Sequence, residues 1–163
     1  MIVLVMGVSG AGKSTVGRAL AATLGAVFLE ADDFHPPANV AKMARGTPLE
    51  DADRWPWLDA LAAAMGAEAD AGRDVVVACS ALKKTYRERL LAGREDVARV
   101  VHLRGDEALI AARLRERPGH FMPPALLPTQ IATLEAPDDA LTVEVTAPPD
   151  VLVAGIAQAL RGS

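Results

Sequence analysis

The run Gly7-Val8-Ser9-Gly10-Ala11-Gly12-Lys13-Ser14-Thr15 constrains this chain more than any other stretch. It fits G-x-x-x-x-G-K-[ST] at every fixed position. A continuous apolar run, Ile2–Met6, precedes it, and a helical pattern with Val16, Leu20 and Leu24 at spacing four follows it. Strand, glycine loop and helix in that order form a cradle for phosphate. Glycines let successive backbone N–H groups turn inward, and the helix N-terminus adds its positive dipole end. Lys13 is placed for the β- and γ-phosphates, Ser14 for a magnesium ion, and Thr15 for the α-phosphate. ATP and Mg2+ are thus the expected cofactors. The sequence on its own also allows a glycine-rich turn that binds nothing.

The rest of the chain alternates strand and helix. Strands are expected at 26–29, 75–79, 99–103 and 141–145. Helices are expected at 39–44, 53–71, 84–92, 106–117 and 151–160, with Pro56 in the first turn of the second of these and Asp106 as an N-cap. Such alternation implies an α/β fold: a five-stranded parallel sheet with helices on both faces, built as one domain over residues 1–163. Two stretches break the rhythm, about 32–53 and about 117–137, the second rich in proline and read as irregular. Long segments of this kind are usually functional. They are read as a substrate-binding insertion and a lid.

Composition narrows the function. The 163 residues carry a net charge of −4, which provides no basic field for nucleic acid. No apolar run is long enough to span a membrane. The single cysteine, Cys79, excludes an internal disulfide and a cysteine-rich zinc site, and it reads as a small buried hydrophobe in a strand. Three histidines at no shared short spacing give no support for zinc. A cytoplasmic protein without nucleic-acid or membrane partners is expected. The strand at 75–79 ends Ala-Cys-Ser, without the aspartate of motor-type ATPases, and no Asn-Lys-x-Asp guanine signature occurs. Acids for magnesium must come from elsewhere; Glu30, Asp32 and Asp33 leave strand two at the ligand-binding end of such a sheet.

A kinase for a small hydroxylated acceptor needs a carboxylate at the attacking hydroxyl, cations for the moving phosphoryl group, and a closing element. Asp32 is the candidate for the first. Lys13, Arg113 and Arg117 are candidates for the second, the two arginines sharing one helical face at i, i+4. The segment 117–137 supplies the third. The arginines equally fit a solvated helix face.

The P-loop opening, Ala31-Asp32-Asp33-Phe34-His35-Pro36-Pro37-Ala38-Asn39-Val40, Lys42-Met43, Gly46-Thr47-Pro48-Leu49 and Asp51-Ala52-Asp53-Arg54-Trp55-Pro56-Trp57-Leu58 together resemble the gluconate kinases (gluconokinases). So do Cys79-Ser80-Ala81-Leu82-Lys83-Lys84-Thr85-Tyr86-Arg87 and Gly119-His120-Phe121-Met122. Ala31, where a glycine is frequent, and Pro118 depart from the pattern without removing a functional group.

The resemblance implies ATP-dependent phosphorylation of D-gluconate at its 6-hydroxyl and a fold like nucleoside monophosphate and shikimate kinases, commonly as a homodimer. Gluconate's carboxylate needs a cation. Arg54 and Arg45 are the first choices, with Lys42 third. Asp32, His35, Lys83 and His120 are candidates for the hydroxyls. Arg54 with Asp51 also fits a helix-start ion pair, and Trp55 and Trp57 fit packing better than ligand stacking. His35 fits a loop cap, His120 a solvated loop, and Lys83 with Lys84 a solvated helix start. The turn at 146–149 is the positional candidate for the nucleobase. A shikimate-type kinase and a non-catalytic nucleotide-binding regulatory module are the competing readings.

Overall fold

The computed structural model describes residues 1–116 and 126–163. Five strands form one parallel sheet in the order β2-β3-β1-β4-β5: β1 (Ile2–Met6), β2 (Val27–Glu30), β3 (Val75–Ala78), β4 (Ala98–Arg104) and β5 (Leu141–Glu144). The expected sheet is therefore present. β1 is central and buried at every position, as a run covered on both faces must be.

Its side chains alternate between two cores. Ile2, Leu4 and Met6 pack with Leu58, Leu61 and Met65 of α3 (Asp51–Asp70) and with Tyr86 and Leu90 of α4 (Lys84–Leu91). Val3 and Val5 pack with Val16 and Leu20 of α1 (Lys13–Leu24) and with Ile156 and Leu160 of α7 (Pro149–Arg161). The chain leaves β1 for one face, through α1, and β3 for the other, through α4. A crevice opens between the carboxyl ends of these adjacent strands, where ligands collect in open α/β sheets. Loops after β1, β2 and β3 meet there.

Local sequence explains most elements, several of which begin or end one or two residues from expectation. α3 starts at Asp51 rather than 53, because the Asp53 carboxylate accepts the Glu50 backbone N–H at 2.8 Å and caps the helix earlier. Pro56 consequently lies in the second turn, where it withholds a donor from the Ala52 carbonyl. α5 (Glu107–Arg115) begins on Asp106, which accepts the Leu109 N–H at 2.9 Å as expected, but ends at Arg115. The segment read as irregular before β5 contains α6 (Leu127–Thr133), whose Leu127 packs with Val8, Ile110 and Leu114. In the other long segment, a 3-10 turn (Ala31–Phe34) leads to α2 (Pro37–Ala44). Cys79 is buried, and burial pushes its thiol up to about 12, as an inert packing residue. Among the described residues no helix is long and apolar enough to cross a membrane.

Candidate active site

The phosphate loop is shaped by its glycines. Gly10 takes φ 86° against α5, where a Cβ would lie 2.8 Å from Leu114 Cγ. Gly12 takes φ 95° and turns the chain into α1, whose first helical bond runs from the Val16 N–H to the Gly12 carbonyl. Only glycine adopts these angles cheaply. Lys13 Nζ donates to the Val8 carbonyl at 3.0 Å, curled over its own loop. The Ser9 N–H, a donor of the phosphate-binding type, is 2.7 Å from Gln130 Oε1 of α6. The side-chain amide oxygen thus stands where a phosphate oxygen is expected.

The acidic side of the crevice comes from β2. Its last residue, Glu30, accepts the Ser14 hydroxyl through Oε2. The 3-10 turn then carries Asp32 to the same cavity. Trp57 on α3 fastens this turn: its Nε1 donates to the Ala31 carbonyl at 2.7 Å, and its ring stacks on His35 at 4.0 Å and 16°. Burial, and then the nearby Arg54 charge, lower His35 to about 4. The ring is neutral at physiological pH.

The third wall is the start of α3 with the loop before it. Arg54 lines the cavity, donates from Nη2 to the Leu49 carbonyl at 3.0 Å, and lies over the Tyr86 ring at 5.1 Å. Its Nε is buried and has no acceptor among the described residues. A buried cationic donor left unsatisfied costs stability, so this atom is suited to an acceptor that arrives with a ligand. Tyr86 donates its hydroxyl to Asp51, and that bond first, with Lys83 and Arg54 behind it, holds the Asp51 carboxyl below the usual range.

The fourth wall is β3's exit and α6. Ser80, Leu82, Leu126, Thr129, Gln130 and Thr133 line it. Arg87, buried, braces this wall by donating to the carbonyls of Ala81, Leu82 and Glu135. Glu135 in turn accepts the Lys84 N–H, so the end of α6 is tied to the start of α4. A second cleft lies on the other side of the phosphate loop, between Thr15, Arg113, Ala147 and Pro149. Arg113 is held there by a 2.7 Å bond to the Val145 carbonyl.

The structure brings together Lys13, Ser14, Asp32, His35 and Arg54 around one cavity, with Ser9, Gly10 and Gly12 of the loop. It places Arg113 and Thr15 at the second cleft, beside the 146–149 turn. It keeps three expected ligands out of the cavity lining. Lys42 is paired to Asp53 at 2.8 Å. Lys83 is drawn to Asp51 at 3.3 Å and to the Tyr86 face. Arg45 caps α2 and is exposed to solvent. Arg54 makes no ion pair with Asp51 among the described residues; Asp51 is taken by Tyr86 and Lys83. Asp33 is exposed and is not among the residues that line the cavity. Arg117 and His120 lie outside the described residues.

Sequence reasoning missed Gln130 and Asn39. The spacing of Leu127, Ile131 and Leu134 would have exposed α6 and hence Gln130. Asn39 had no signal beyond being polar in a proline-rich stretch. For magnesium, the Ser14 hydroxyl and Glu30 carboxylate are in contact and Asp32 lines the same cavity, a set of hard oxygens that fits the ion. Among the described residues no cluster of three or more His, Cys, Asp or Glu forms a metal site without a nucleotide.

Comparison with known proteins agrees with this geometry. The family model described as "AAA domain" matches residues 2–137. The gluconokinase of Gluconobacter oxydans (strain 621H) is 48% identical, covering 92% of this chain and 85% of its own. A sugar kinase structure from Janibacter sp. HTCC2649 superposes with a TM-score of 0.91 at 47% identity, over 98% of this chain and 94% of that one. A gluconokinase structure from Sinorhizobium meliloti 1021 gives 0.81 at 43% identity, over 98% and 95%. With a phosphate loop, acidic turn and arginine wall converging on one crevice, and relatives this similar over nearly the whole length, the chain belongs to the gluconokinase family of P-loop kinases.

Proposed function

We propose that this protein transfers the γ-phosphoryl group of ATP to the 6-hydroxyl of D-gluconate, giving 6-phospho-D-gluconate and ADP. The observation that carries the reading is the cavity itself: Lys13, Asp32 and Arg54 face one space, and the buried Arg54 Nε awaits an acceptor. Membership of the gluconokinase family favours this acceptor over shikimate, and the acid in the cavity favours a catalyst over a binding module.

The phosphates lie on the N–H groups of residues 7–15, and the base enters the cleft of Thr15, Arg113 and the 146–149 turn. Lys13 turns from the Val8 carbonyl to the β- and γ-phosphates. Mg2+ would be held by Ser14 with Glu30 and Asp32 nearby, and supplies neutralising charge on the phosphates. Arg54 takes the gluconate carboxylate with the fork of its guanidinium. His35, being neutral, offers an N–H to a hydroxyl oxygen. Asp32 orients the 6-hydroxyl and accepts its proton as the oxygen attacks in line. Arg117 steadies the transferring phosphoryl group, and segment 117–137 shuts out water. Lys42, Arg45, Lys83 and His120 are outer contacts that movement of the insertion and the lid would have to bring in. One domain, with the insertion at 32–53 over the acceptor, is the organisation this reading implies. Composition adds a cytoplasmic location, and the family resemblance a homodimer.

The Asp32→Asn variant tests the reading. Loss of a positioned base lowers kcat by about 100-fold or more. The KM for ATP should stay within about twofold, because the phosphate loop is intact. An Asp32→Asn enzyme with kcat close to wild type would remove Asp32 from the proton-transfer role.

A further inference from the structure

His35 has one ring nitrogen already committed. Asn39, 4% exposed on α2, places its Nδ2 2.9 Å from the Asp53 carbonyl oxygen and 3.2 Å from His35 Nδ1. A carbonyl oxygen only accepts, so the atom facing it must be the amide nitrogen. Turning the amide over would set two oxygens against each other in a buried site. That nitrogen carries two hydrogens, and its two neighbours take one each. His35 Nδ1 therefore accepts. An imidazole that accepts at Nδ1 while neutral holds its proton at Nε2.

We propose that Asn39 is a positioning residue of this active site: it fixes His35 as the Nε2–H tautomer, so that the ring meets the substrate as a neutral donor. The proposal deepens the gluconate reading and rests on it for the identity of the acceptor. Its consequence is orientational. Among the described residues, the charged groups lining the cavity around His35 are Lys13 of the phosphate loop, Glu30 at the end of β2, Asp32 on the 3-10 turn and Arg54 on α3. The opposite tautomer would turn a lone pair, in place of an N–H, toward the substrate hydroxyls. A neutral N–H donor bonds a hydroxyl oxygen and leaves Arg54 as the cation on the insertion side. The burial of the ring against Trp57 supports the same neutral state.

The test reads the ring directly. With three histidines in the chain, nitrogen NMR of histidine-labelled protein resolves each imidazole, and His35→Gln assigns the signal. The wild-type protein should show His35 as Nε2–H, with no titration between about pH 5.5 and 8. In Asn39→Asp a carboxylate faces Nδ1. The ring should move to Nδ1–H and titrate near neutrality, the KM for gluconate should rise about tenfold, and the KM for ATP should hold. A merely structural Asn39 would lower the melting temperature and leave the KM ratio and tautomer unchanged.

A wild-type His35 that is Nδ1–H overturns the proposal whether or not Asn39→Asp folds. An Asn39→Asp enzyme with the tautomer switched and the gluconate KM unchanged overturns the substrate half of it. Because the NMR arm uses no substrate, a wild-type enzyme without gluconate turnover would refute the functional reading alone, and the tautomer would still decide this proposal.

Discussion

Replacing Arg54 by lysine keeps the charge and removes the fork. In the structure the guanidinium does three things: Nη2 bonds the Leu49 carbonyl at 3.0 Å, the plane covers Tyr86 at 5.1 Å, and Nε is buried without an acceptor among the described residues. A gluconate carboxylate would take the Nε side in addition to these bonds. Lysine has a single ammonium head at the end of a flexible stem and cannot serve Leu49 and the carboxylate with the same planar geometry. One charge-assisted hydrogen bond is worth about 1.5–3 kcal/mol. At about 1.4 kcal/mol per decade, the KM for gluconate should rise between roughly tenfold and 150-fold. The carboxylate end is remote from the reacting hydroxyl, so the loss is of uniform binding and kcat should fall much less. ATP saturation should be unchanged. Initial rates of ADP release across a gluconate titration measure all three quantities, and a melting curve measures the cost of the lost Leu49 bond, about 1 kcal/mol. An uncharged hexitol, tested as a poor acceptor, should show no such penalty. A gluconate KM within about threefold of wild type would refute the assignment. A kcat loss at constant KM would move Arg54 to the phosphoryl group instead.

Two further outcomes follow from the same geometry. Gln130→Ala frees the Ser9 N–H from its 2.7 Å partner, so ATP no longer displaces a hydrogen bond worth about 1 kcal/mol, and calorimetry should show nucleotide binding tightened about fivefold. Weaker binding would mean that Gln130 touches the nucleotide itself. Acid should destabilise the fold through His35. Its folded pKa is lowered from 6.5 to about 4, so the unfolded chain binds more protons in between. This stability is fully present above about 6.5 and is lost as pH falls through 4, a contribution of about 2 kcal/mol after allowance for partial solvent screening. Urea midpoints of wild type and His35→Gln should converge across that window. Parallel curves would place the ring in water.

The sheet was legible because β1 is continuously apolar and its glycine loop leaves no other arrangement for the helix that follows. Asp106 marked its helix start by local chemistry that acts within one turn, and it does so in the structure. The start of α3 was not legible to the residue. The expected start at Asp53 misses the two residues before it, because as N3 Asp53 closes its carboxylate back on Glu50. α6 was masked by the prolines around it, which argue for loop and outweighed the helical spacing of Leu127, Ile131 and Leu134. Among site residues, those defined by chain position, Lys13, Ser14 and Asp32, could be placed from the motif. The cations could not be ranked in that way. Arg45, Lys42, Arg54 and Lys83 are all near the cavity in sequence, and long-range partners separate them: Asp53 for Lys42, Asp51 and Tyr86 for Lys83, solvent for Arg45. The Ser9–Gln130 and Asn39–His35 contacts depend on side chains crossing between elements, which spacing does not encode.

The most direct measurement is ADP release from Mg·ATP with D-gluconate beside its epimers, shikimate and no acceptor, followed by phosphorus NMR of the product. The account predicts strong turnover with D-gluconate alone and phosphate on the 6-oxygen. Turnover confined to another acceptor would contradict the assignment of Arg54 and the cavity around it. ATP bound without turnover would mean a nucleotide-binding module in place of an enzyme.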